Sequence, residues 1–255
     1  MDVVGDLLAR DRRSRDIALV TPDGRERTYR DLITNAYKAA NVLRYLGARE
    51  GSTVAVDPTP GLHTTLCFLG AAGLGAPVRF DPAAGIDRGD RVVLVDVADE
   101  SATEPAPGTS LAAFGGPPER PETTHWEQEL WSENPGMPPS AVGPDDPVLR
   151  APGDGEPDGT GDVTHRTLLA AAAAIVDEHG LEPGDRVVLR GDLSDPRALV
   201  AGVVAPLAAG ATAVLAGDGA KSDESPVAGD DEPTVSVGKA GNDPRPVALP
   251  AVDGR

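Results

Sequence analysis

The sequence has few aromatic residues, few lysines, one cysteine and no long apolar run. Aromatic residues make up 3% of the 255 residues, so the core has to be built from alanine, valine and leucine. Side chains of that size suit helices packed on β-strands. The longest apolar stretches are interrupted by glycine or proline and are too short to span a bilayer. The sequence therefore predicts an α/β protein with no membrane partner.

The single cysteine, Cys67, excludes an intrachain disulfide. Its neighbours Leu66, Phe68 and Leu69 predict a buried, unreactive thiol rather than a catalytic one. Residues 1–15 are charged and lack the apolar run of a signal peptide. We therefore expect a cytoplasmic protein.

Positive charge is also scarce. Lysine and arginine number 23 against 41 acidic residues, a net charge of −18. Only Lys38, Lys221 and Lys239 are lysines, and no basic stripe could neutralise phosphates, which argues against a nucleic-acid partner. This composition is typical of a very salty cytoplasm, because at ~1 M salt the Debye length is only ~3 Å and surface carboxylates hardly repel one another. We expect a halophilic protein; the alternative is an ordinary acidic one.

Two segments show the order helix, strand, helix, strand. In the first, Thr28 and Asp31 form a capping-box pattern at the start of a helix that Gly47 can end. A second helix begins near residue 62 and is ended by the glycines at 73 and 75. Strands are predicted at 17–23, 52–56, 76–80 and 91–97.

The second segment follows the same plan. Thr164 opens a helix that ends near Gly180, and Asp195-Pro196 opens another that ends at Gly210. Strands are predicted at 184–189 and 211–216. Gly47 and Gly180 are 133 residues apart, as are Gly51 and Gly184, while Gly75 and Gly210 are 135 apart. The fold class predicted is α/β, with two repeated units, layered parallel sheets and helices on both faces.

The chain divides into four predicted parts. They are a first α/β subdomain (1–98), a proline-rich linker (99–143), a second α/β subdomain (144–217), and a mostly disordered acidic tail (218–255) with one strand at 234–237. Within the linker, "HWEQELW" (125–131) predicts one turn of helix carrying Trp126, Leu130 and, as a further candidate, Trp131. This turn either anchors the linker to a domain or binds a partner.

The stretch "APGDGEPDGTGDVTHR" begins as a glycine-rich loop and runs into a helix, which is the layout of a phosphate-binding loop. It nevertheless carries Asp154, Glu156, Asp158 and Asp162, and its first basic residue is His165. This charge pattern conflicts with phosphate binding.

Several stretches, taken in order, resemble the N-terminal region of AMP-forming acyl-CoA synthetases and their adenylating relatives. They are "RTYRDLITNAYKAANVLRYLGAREGSTVAV", "FLGAAGLGAPVRFDP", "PDDPVL", "VTHRTLLAAAAAIVDEHGLEPGDRVV" and "VAGVVAPLAAGATAVL". The likeness covers about residues 15–97 and 144–216, roughly the first half of a typical member, and so implies a truncated relative. The family adenylates a carboxylic acid with ATP and passes the acyl group to coenzyme A or another thiol.

The resemblance implies a Gly-x-Pro-Lys-Gly phosphate signature where this chain has "GEPDG" (155–159). The candidate cofactor-binding positions are Gly153, Gly155, Asp158 and Gly159, with Asp158 in the place of the lysine. They form a degenerate loop that we do not expect to function. The later adenine, ribose and carboxylate motifs and the C-terminal domain with its adenylation lysine have no match.

Other chemistry-bearing residues are scattered. His63, His125, His165 and His179 form no metal-ligand spacing with Cys67, and His165 at a helix start suits a structural role. Three aspartates, Asp57, Asp81 and Asp96, follow strand ends, where α/β sites gather. They are candidates for a metal or catalytic site, or a chance grouping among 41 acidic residues.

The function predicted is that of a degenerate, non-catalytic relative acting as a partner or regulatory subunit, for example of a full-length synthetase. No catalytic residue, metal or cofactor is expected. The alternative is a residual AMP-binding or acyl-CoA ligase-like enzyme, or a nucleotide or acyl-CoA binding module that uses ATP and Mg²⁺. A decaying gene product with no current role is a third hypothesis.

Overall fold

The computed structural model describes residues 1–86, 89–150, 161–216 and 235–238. Its strands are β1 (Ile17–Val20), β2 (Glu26–Thr28), β3 (Thr53–Val56), β4 (Val78–Phe80), β5 (Asp90–Asp96), β6 (Ser110–Phe114), β7 (Thr124–His125), β8 (Pro147–Leu149), β9 (Val163–Thr164), β10 (Arg186–Arg190), β11 (Thr212–Ala216) and β12 (Val235–Gly238). Its α-helices are α1 (Tyr29–Tyr45), α2 (Leu62–Leu74), α3 (Trp126–Ser132), α4 (His165–His179), α5 (Pro196–Leu199) and α6 (Ala205–Ala209).

The strands form two sheets. One has the order β12-β10-β11-β1-β2 and the other the order β7-β6-β5-β3-β4-β8-β9. All neighbouring pairs described are parallel except β1 with β2 and β8 with β9. Helix α2 packs on β3 and β4, α6 on β11, and α1 on β1. The layered α/β class with parallel sheets is thus confirmed.

The repeat predicted from the glycine spacing is present as one unit in each sheet. In the first unit β3 pairs with β4 in parallel, and in the second β10 pairs with β11 in parallel. All six marker glycines have positive φ angles, a conformation that L side chains rarely adopt: Gly47, Gly51, Gly75, Gly180, Gly184 and Gly210. The glycine spacing holds because the same turns recur at matching places.

Local signals also place the helix ends. The backbone N–H of Asp31 donates to Oγ1 of Thr28 at 3.1 Å, and the Asp31 carboxylate accepts from the Thr28 backbone N–H, which completes the predicted capping box of α1. Thr164 caps α4 in a similar way, accepting from the backbone N–H of Thr167. Gly75 ends α2, whereas Gly73, also predicted to end it, lies inside the helix.

The main core follows the alternation of side chains along the strands. Val54 and Val56 of β3 share the largest hydrophobic cluster with Val187 and Leu189 of β10 and with apolar residues of α1, α2 and α4. Their neighbours Ala55 and Val188 belong to smaller clusters, since successive strand residues face opposite sides of a sheet.

The predicted linker, 99–143, is more ordered than the sequence suggested. Its strand β6 extends the larger sheet beside β5, pairing Leu111 with Val93 and Ala112 with Leu94. The linker prediction missed this strand. With only five residues between proline-rich turns, β6 is too short to show the alternation of apolar and polar residues by which a strand is recognised in a sequence. The larger sheet also includes β8 and β9, which the sequence assigned to the second subdomain.

The helical stretch after Asp195 contains a change of winding. A π-helical turn at Val200–Val204 separates α5 from α6. Pro206 lies just after it and lacks the N–H that would bond to the carbonyl four residues earlier, which is a physical reason for the interruption.

Two further predictions concern the tail and the membrane. The strand predicted at 234–237 is present as β12, paired in parallel with β10. The rest of the predicted disordered tail, 218–255, lies outside the described residues. Within the described ranges, no helix combines the length and the apolar character needed to cross a bilayer.

Candidate functional site

The predicted phosphate loop connects β8 to β9. Its four candidate positions, Gly153, Gly155, Asp158 and Gly159, lie outside the described residues, and so do Lys221 and Lys239. The flanks of the loop are described. Strands β8 and β9 pair antiparallel, with Leu149 opposite Val163, so the loop begins and ends at one place on the sheet edge.

Both arginines that flank the loop are engaged by carboxylates. Arg150 Nε lies 3.8 Å from Asp162 Oδ2, and Arg150 Nη2 donates to the carbonyl of Gly51 at 3.3 Å. Arg166 makes a two-point contact with Asp145, Nε to Oδ1 at 2.8 Å and Nη2 to Oδ2 at 3.1 Å. The hydrogen bond from Arg166 holds the pKa of Asp145 below its usual value. The cations closest in sequence to the loop are therefore already paired.

The first backbone N–H groups of α4 are also occupied. The N–H of His165 donates to the carbonyl of Asp146 at 3.1 Å, and that of Arg166 donates to the carbonyl of Pro144 at 2.8 Å. The N–H of Thr167 donates to Oγ1 of Thr164 at 3.2 Å. Free N–H groups at a helix start are what bind phosphate, and these three point into the chain itself.

His165 is fully buried behind the same helix start. Its Nδ1 accepts a hydrogen bond from the backbone N–H of Val4 at 3.0 Å. Burial lowers the pKa of His165 to about 4, so the ring is neutral at pH 7 and can act as an acceptor. This contact ties residues 4–8 to α4 and agrees with the predicted structural role.

Cys67 is buried as predicted. It lies in the middle of α2 with none of its surface exposed, and burial raises the pKa of its thiol. A protonated thiol without access to solvent is a poor nucleophile and a poor metal ligand.

The sheet brings the three strand-end aspartates onto neighbouring strands. Asp96 is the last residue of β5, and Asp57 and Asp81 follow β3 and β4; the three strands β5, β3 and β4 are adjacent in that order. Asp57 Oδ1 accepts from the backbone N–H of Thr59 at 2.7 Å, and Asp96 Oδ1 accepts from that of Ala98 at 2.8 Å. These bonds are turn and cap contacts.

Asp81 has a φ of 71°, and no other non-glycine residue in the described part of the chain has a positive φ. The histidines do not join the aspartates. His63 and His125 lie on either side of Glu127, each with Nε2 3.5 Å from one of its oxygens. Across the described ranges, no group of three or more His, Cys, Asp and Glu side chains could hold a metal ion.

A groove that the sequence analysis missed lies between α1, the start of α2 and α3. It has a volume of about 400 Å³, and its lining includes Arg27, Lys38, His63, Leu66 and Trp131. The signal in the sequence was the helical spacing. Trp126 and Leu130, four residues apart, face inward, and Trp131 is turned away from them and is 84% exposed.

The anchor role predicted for Trp126 and Leu130 agrees with their burial, at 0% and 7% exposure. Trp131, the third candidate of that helical turn, does not share it. It stands at the rim of the groove instead.

No protein-family model matches the chain, and neither does any curated protein. Solved structures do. The anthranilate CoA ligase AuaEII, solved with anthranoyl-AMP, aligns with TM-score 0.76 and 20% identity over 92% of this chain and 49% of its own. The inhibitor-bound N-terminal domain of FACL13 from Mycobacterium tuberculosis aligns with TM-score 0.74 and 20% identity, covering 93% and 63%.

MatB from Rhodopseudomonas palustris gives a TM-score of 0.72 and 18% identity, covering 87% of this chain and 46% of its own. The chain thus spans between about half and two thirds of the length of these structures. It has the fold of the N-terminal domain of adenylate-forming enzymes. Identities at this level show the fold alone.

Proposed function

We propose that this chain, which has the fold of the N-terminal domain of adenylate-forming enzymes, is a non-catalytic relative of them and acts as a partner or regulatory subunit. One observation carries the proposal. Between residues 151 and 162 the loop has four carboxylates and no cation, and the described arginines on either side of it are paired with carboxylates. The chain thus keeps the fold of these enzymes but has no cation in the loop with which to bind phosphate.

The residues present do not fit ATP with Mg²⁺. Four carboxylates near a triphosphate oppose it by about 1 kcal/mol each even at high effective dielectric. Molar salt would weaken that repulsion, but it would not replace the missing lysine or free the N–H groups of α4. We therefore derive no adenylation step for this chain.

A binding role fits what is retained. The first helix of each helix–strand–helix–strand unit has a side-chain N-cap, and the two units share a core, so a rigid surface is available for another protein. The acidic, lysine-poor composition suits work in a salty cytoplasm. A full-length synthetase is one partner of the right kind, since its own sheets and helices would offer related surfaces.

The first experiment is a calorimetric titration with ATP and Mg²⁺ in molar KCl. The natural chain is compared with Asp158→Lys, which restores the family's charge in the loop, and with Asp99→Lys, which makes the same charge change at an exposed position outside the loop. We expect no saturable heat from the natural chain or from Asp99→Lys. Any gain should be confined to Asp158→Lys.

Saturable binding of ATP by the natural chain would contradict the proposal. The shared fold favours one other candidate, a residual nucleotide or acyl-CoA binding module. It predicts that opposite result, together with a rise in Tm as ligand is added, since a ligand that binds only the folded state stabilises it.

A further inference from the structure

One surface of the molecule departs from its overall acidity. We call it the α1/α3 surface, formed by Arg27, Lys38, Arg44, Tyr45, Arg49 and Trp131. Two large hydrophobic side chains of this surface are exposed to solvent, Tyr45 at 75% and Trp131 at 84% exposure. In a chain with two tryptophans and three tyrosines, placing one of each in solvent here needs a reason.

The cations of this surface have no ion-pair partner among the described residues. The ion pairs there involve other arginines and histidines, and none includes Arg27, Lys38, Arg44 or Arg49. Their charge is available to another molecule.

Three carboxylates near the α1/α3 surface each accept a hydrogen bond from within the chain. Asp31 accepts from the hydroxyl of Thr28 at 2.7 Å, and Glu127 accepts from the backbone N–H of Gly115 at 2.7 Å. Glu133 accepts from the backbone N–H of Asn134 at 3.2 Å. The four cations still outnumber these three carboxylates on the α1/α3 surface.

The groove forms an apolar pocket beside the cations of the α1/α3 surface. Leu62, Leu66 and Leu130 line it, Trp131 stands at its rim, and its volume of about 400 Å³ can take a large side chain. His63 adds a ring that stays uncharged near pH 7, because burial lowers its pKa. A second concavity of about 550 Å³ continues along α1 past Arg44 and Tyr45.

We propose that the α1/α3 surface docks an acidic segment of a partner protein. An apolar side chain of that segment fills the groove against Trp131, and its carboxylates pair with the cations of the surface, which are Arg27, Lys38, Arg44 and Arg49. Exposed Trp, Tyr and Arg are the residues that dominate protein interfaces, and charge complementarity fixes orientation. This inference rests on the proposed role as a partner subunit and names where that partner binds.

A protein fits this surface better than a nucleic acid does. Four cations lie among three carboxylates, and the chain as a whole carries −18, so a phosphate backbone would be repelled beyond the patch. An acidic segment of a protein carries a few carboxylates next to an apolar side chain. This matches the four cations and the apolar groove of the α1/α3 surface.

The test uses the whole chain and a short tryptophan-free peptide with one central leucine flanked by glutamates. Its matched control has lysines in place of the glutamates, and a single-stranded oligodeoxynucleotide is the third probe. Trp131 reports binding through its emission, since the other tryptophan, Trp126, is fully buried. We expect the acidic peptide to bind and to bind more weakly as KCl rises.

Two variants locate the site. Trp131→Ala and Lys38→Gln should each weaken the acidic peptide about tenfold, measured for both by calorimetry. Arg197→Gln, which removes a cation of the second unit that pairs with Asp195, is the control and should change binding less than twofold. Circular dichroism should show all three folded, because the substituted side chains lie at or near the surface.

The docking proposal fails if the acidic peptide does not bind at millimolar concentration, if the lysine peptide binds equally well, or if the oligonucleotide binds more tightly. It also fails if Arg197→Gln weakens binding as much as Lys38→Gln. The ATP titration is separate. ATP binding with intact peptide docking would overturn only the non-catalytic role, and absent docking with no ATP binding would overturn only this surface.

Discussion

The cations beside the acidic loop and the cations of the α1/α3 surface are used in opposite ways. Arg150 and Arg166 lie 3.8 and 2.8 Å from carboxylate oxygens of their own chain. Lys38 and Arg44 have no such partner among the described residues, although acidic residues outnumber basic ones 41 to 23. The arginines beside the acidic loop are thus paired within the chain, whereas the cations of the α1/α3 surface are available to another molecule.

The two units also have a close-packed glycine at matching places. Gly70 of α2 and Gly202 of the π-helical turn are 132 residues apart and both sit where a side chain would collide. A Cβ at Gly70 would lie 2.8 Å from the backbone N of Ala40, and one at Gly202 would lie 2.8 Å from Cβ of Leu189. The two units therefore share close packing at these positions, although a π-helical turn interrupts the second helix of the second unit where α2 is continuous.

The largest effect is expected from a third kind of cation, one that is buried. Arg79 Nη2 lies 2.5 Å from Asp90 Oδ2, and both residues are 2% exposed. Arg79→Leu would take the Arg79 guanidinium away from the buried Asp90 carboxylate, so we expect a loss of about 3–5 kcal/mol in the free energy of unfolding. Urea unfolding in molar KCl measures it.

The matched control is Arg44→Leu, which removes an exposed cation and should change stability by less than about 0.5 kcal/mol. Replacing both partners, Arg79→Leu with Asp90→Val, should recover much of the loss because no lone charge remains buried. Equal losses for Arg79→Leu and Arg44→Leu would show that burial does not separate these two kinds of arginine.

A second prediction concerns the buried histidine beside the loop. His165, beside the loop, has its pKa lowered from 6.5 to about 4, so the folded state prefers the neutral ring. Its contribution is complete above pH 6.5 and is lost as the pH falls toward 4, because the unfolded chain then takes up a proton that the folded chain refuses. Between pH 7 and pH 5 the loss should be about 2 kcal/mol.

The comparison variant is His165→Asn, whose side-chain oxygen can still accept from the N–H of Val4 but does not titrate. The difference in unfolding free energy between the natural chain and this variant isolates the histidine from the many carboxylates. If that difference is the same at pH 5 and pH 7, the buried ring is not the source of the pH dependence.

Much of this fold could be predicted from single residues with a strict conformational role. Thr28 and Thr164 start helices because their hydroxyls accept backbone N–H groups, and Gly75 and Gly210 end them because they take left-handed angles. Helix caps and left-handed glycines depend only on residues close to them in the chain, so they can be recognised in the sequence alone.

The features that were missed depend on contacts between distant segments. Strand β6 is recognisable only once β5 lies beside it, and the exposure of Trp131 follows from which face of α3 meets the core. The pairing of Arg150 with Asp162 joins the two ends of a loop. The acidity of that loop could be read from the sequence, but the pairing of the neighbouring arginines with carboxylates could not.

The smallest expected effect concerns the paired arginines beside the loop, Arg150 and Arg166. It tests most directly how they differ from the cations of the α1/α3 surface. Asp145→Asn with Asp162→Asn would release Arg166 and Arg150 from their carboxylates and remove two negative charges near the loop. If internal pairing helps to exclude phosphate, ATP with Mg²⁺ should gain weak, millimolar binding in calorimetry, stronger when Asp158→Lys is added. The control is Asp23→Asn, which breaks the exposed pair with Arg25 on the β1–β2 turn.

The expected gain is small because the amides only remove repulsion and free two guanidinium groups, while the backbone N–H groups of α4 stay bonded to Pro144 and Asp146. A gain with Asp23→Asn as well would mean that net charge alone governs binding, and the position of the arginines would then be irrelevant. No gain from Asp145→Asn with Asp162→Asn, beside a gain once Asp158→Lys is added, would place the obstacle to phosphate in the loop itself. In that case the contrast with the α1/α3 surface would rest on the charge at Asp158 rather than on how the flanking arginines are paired.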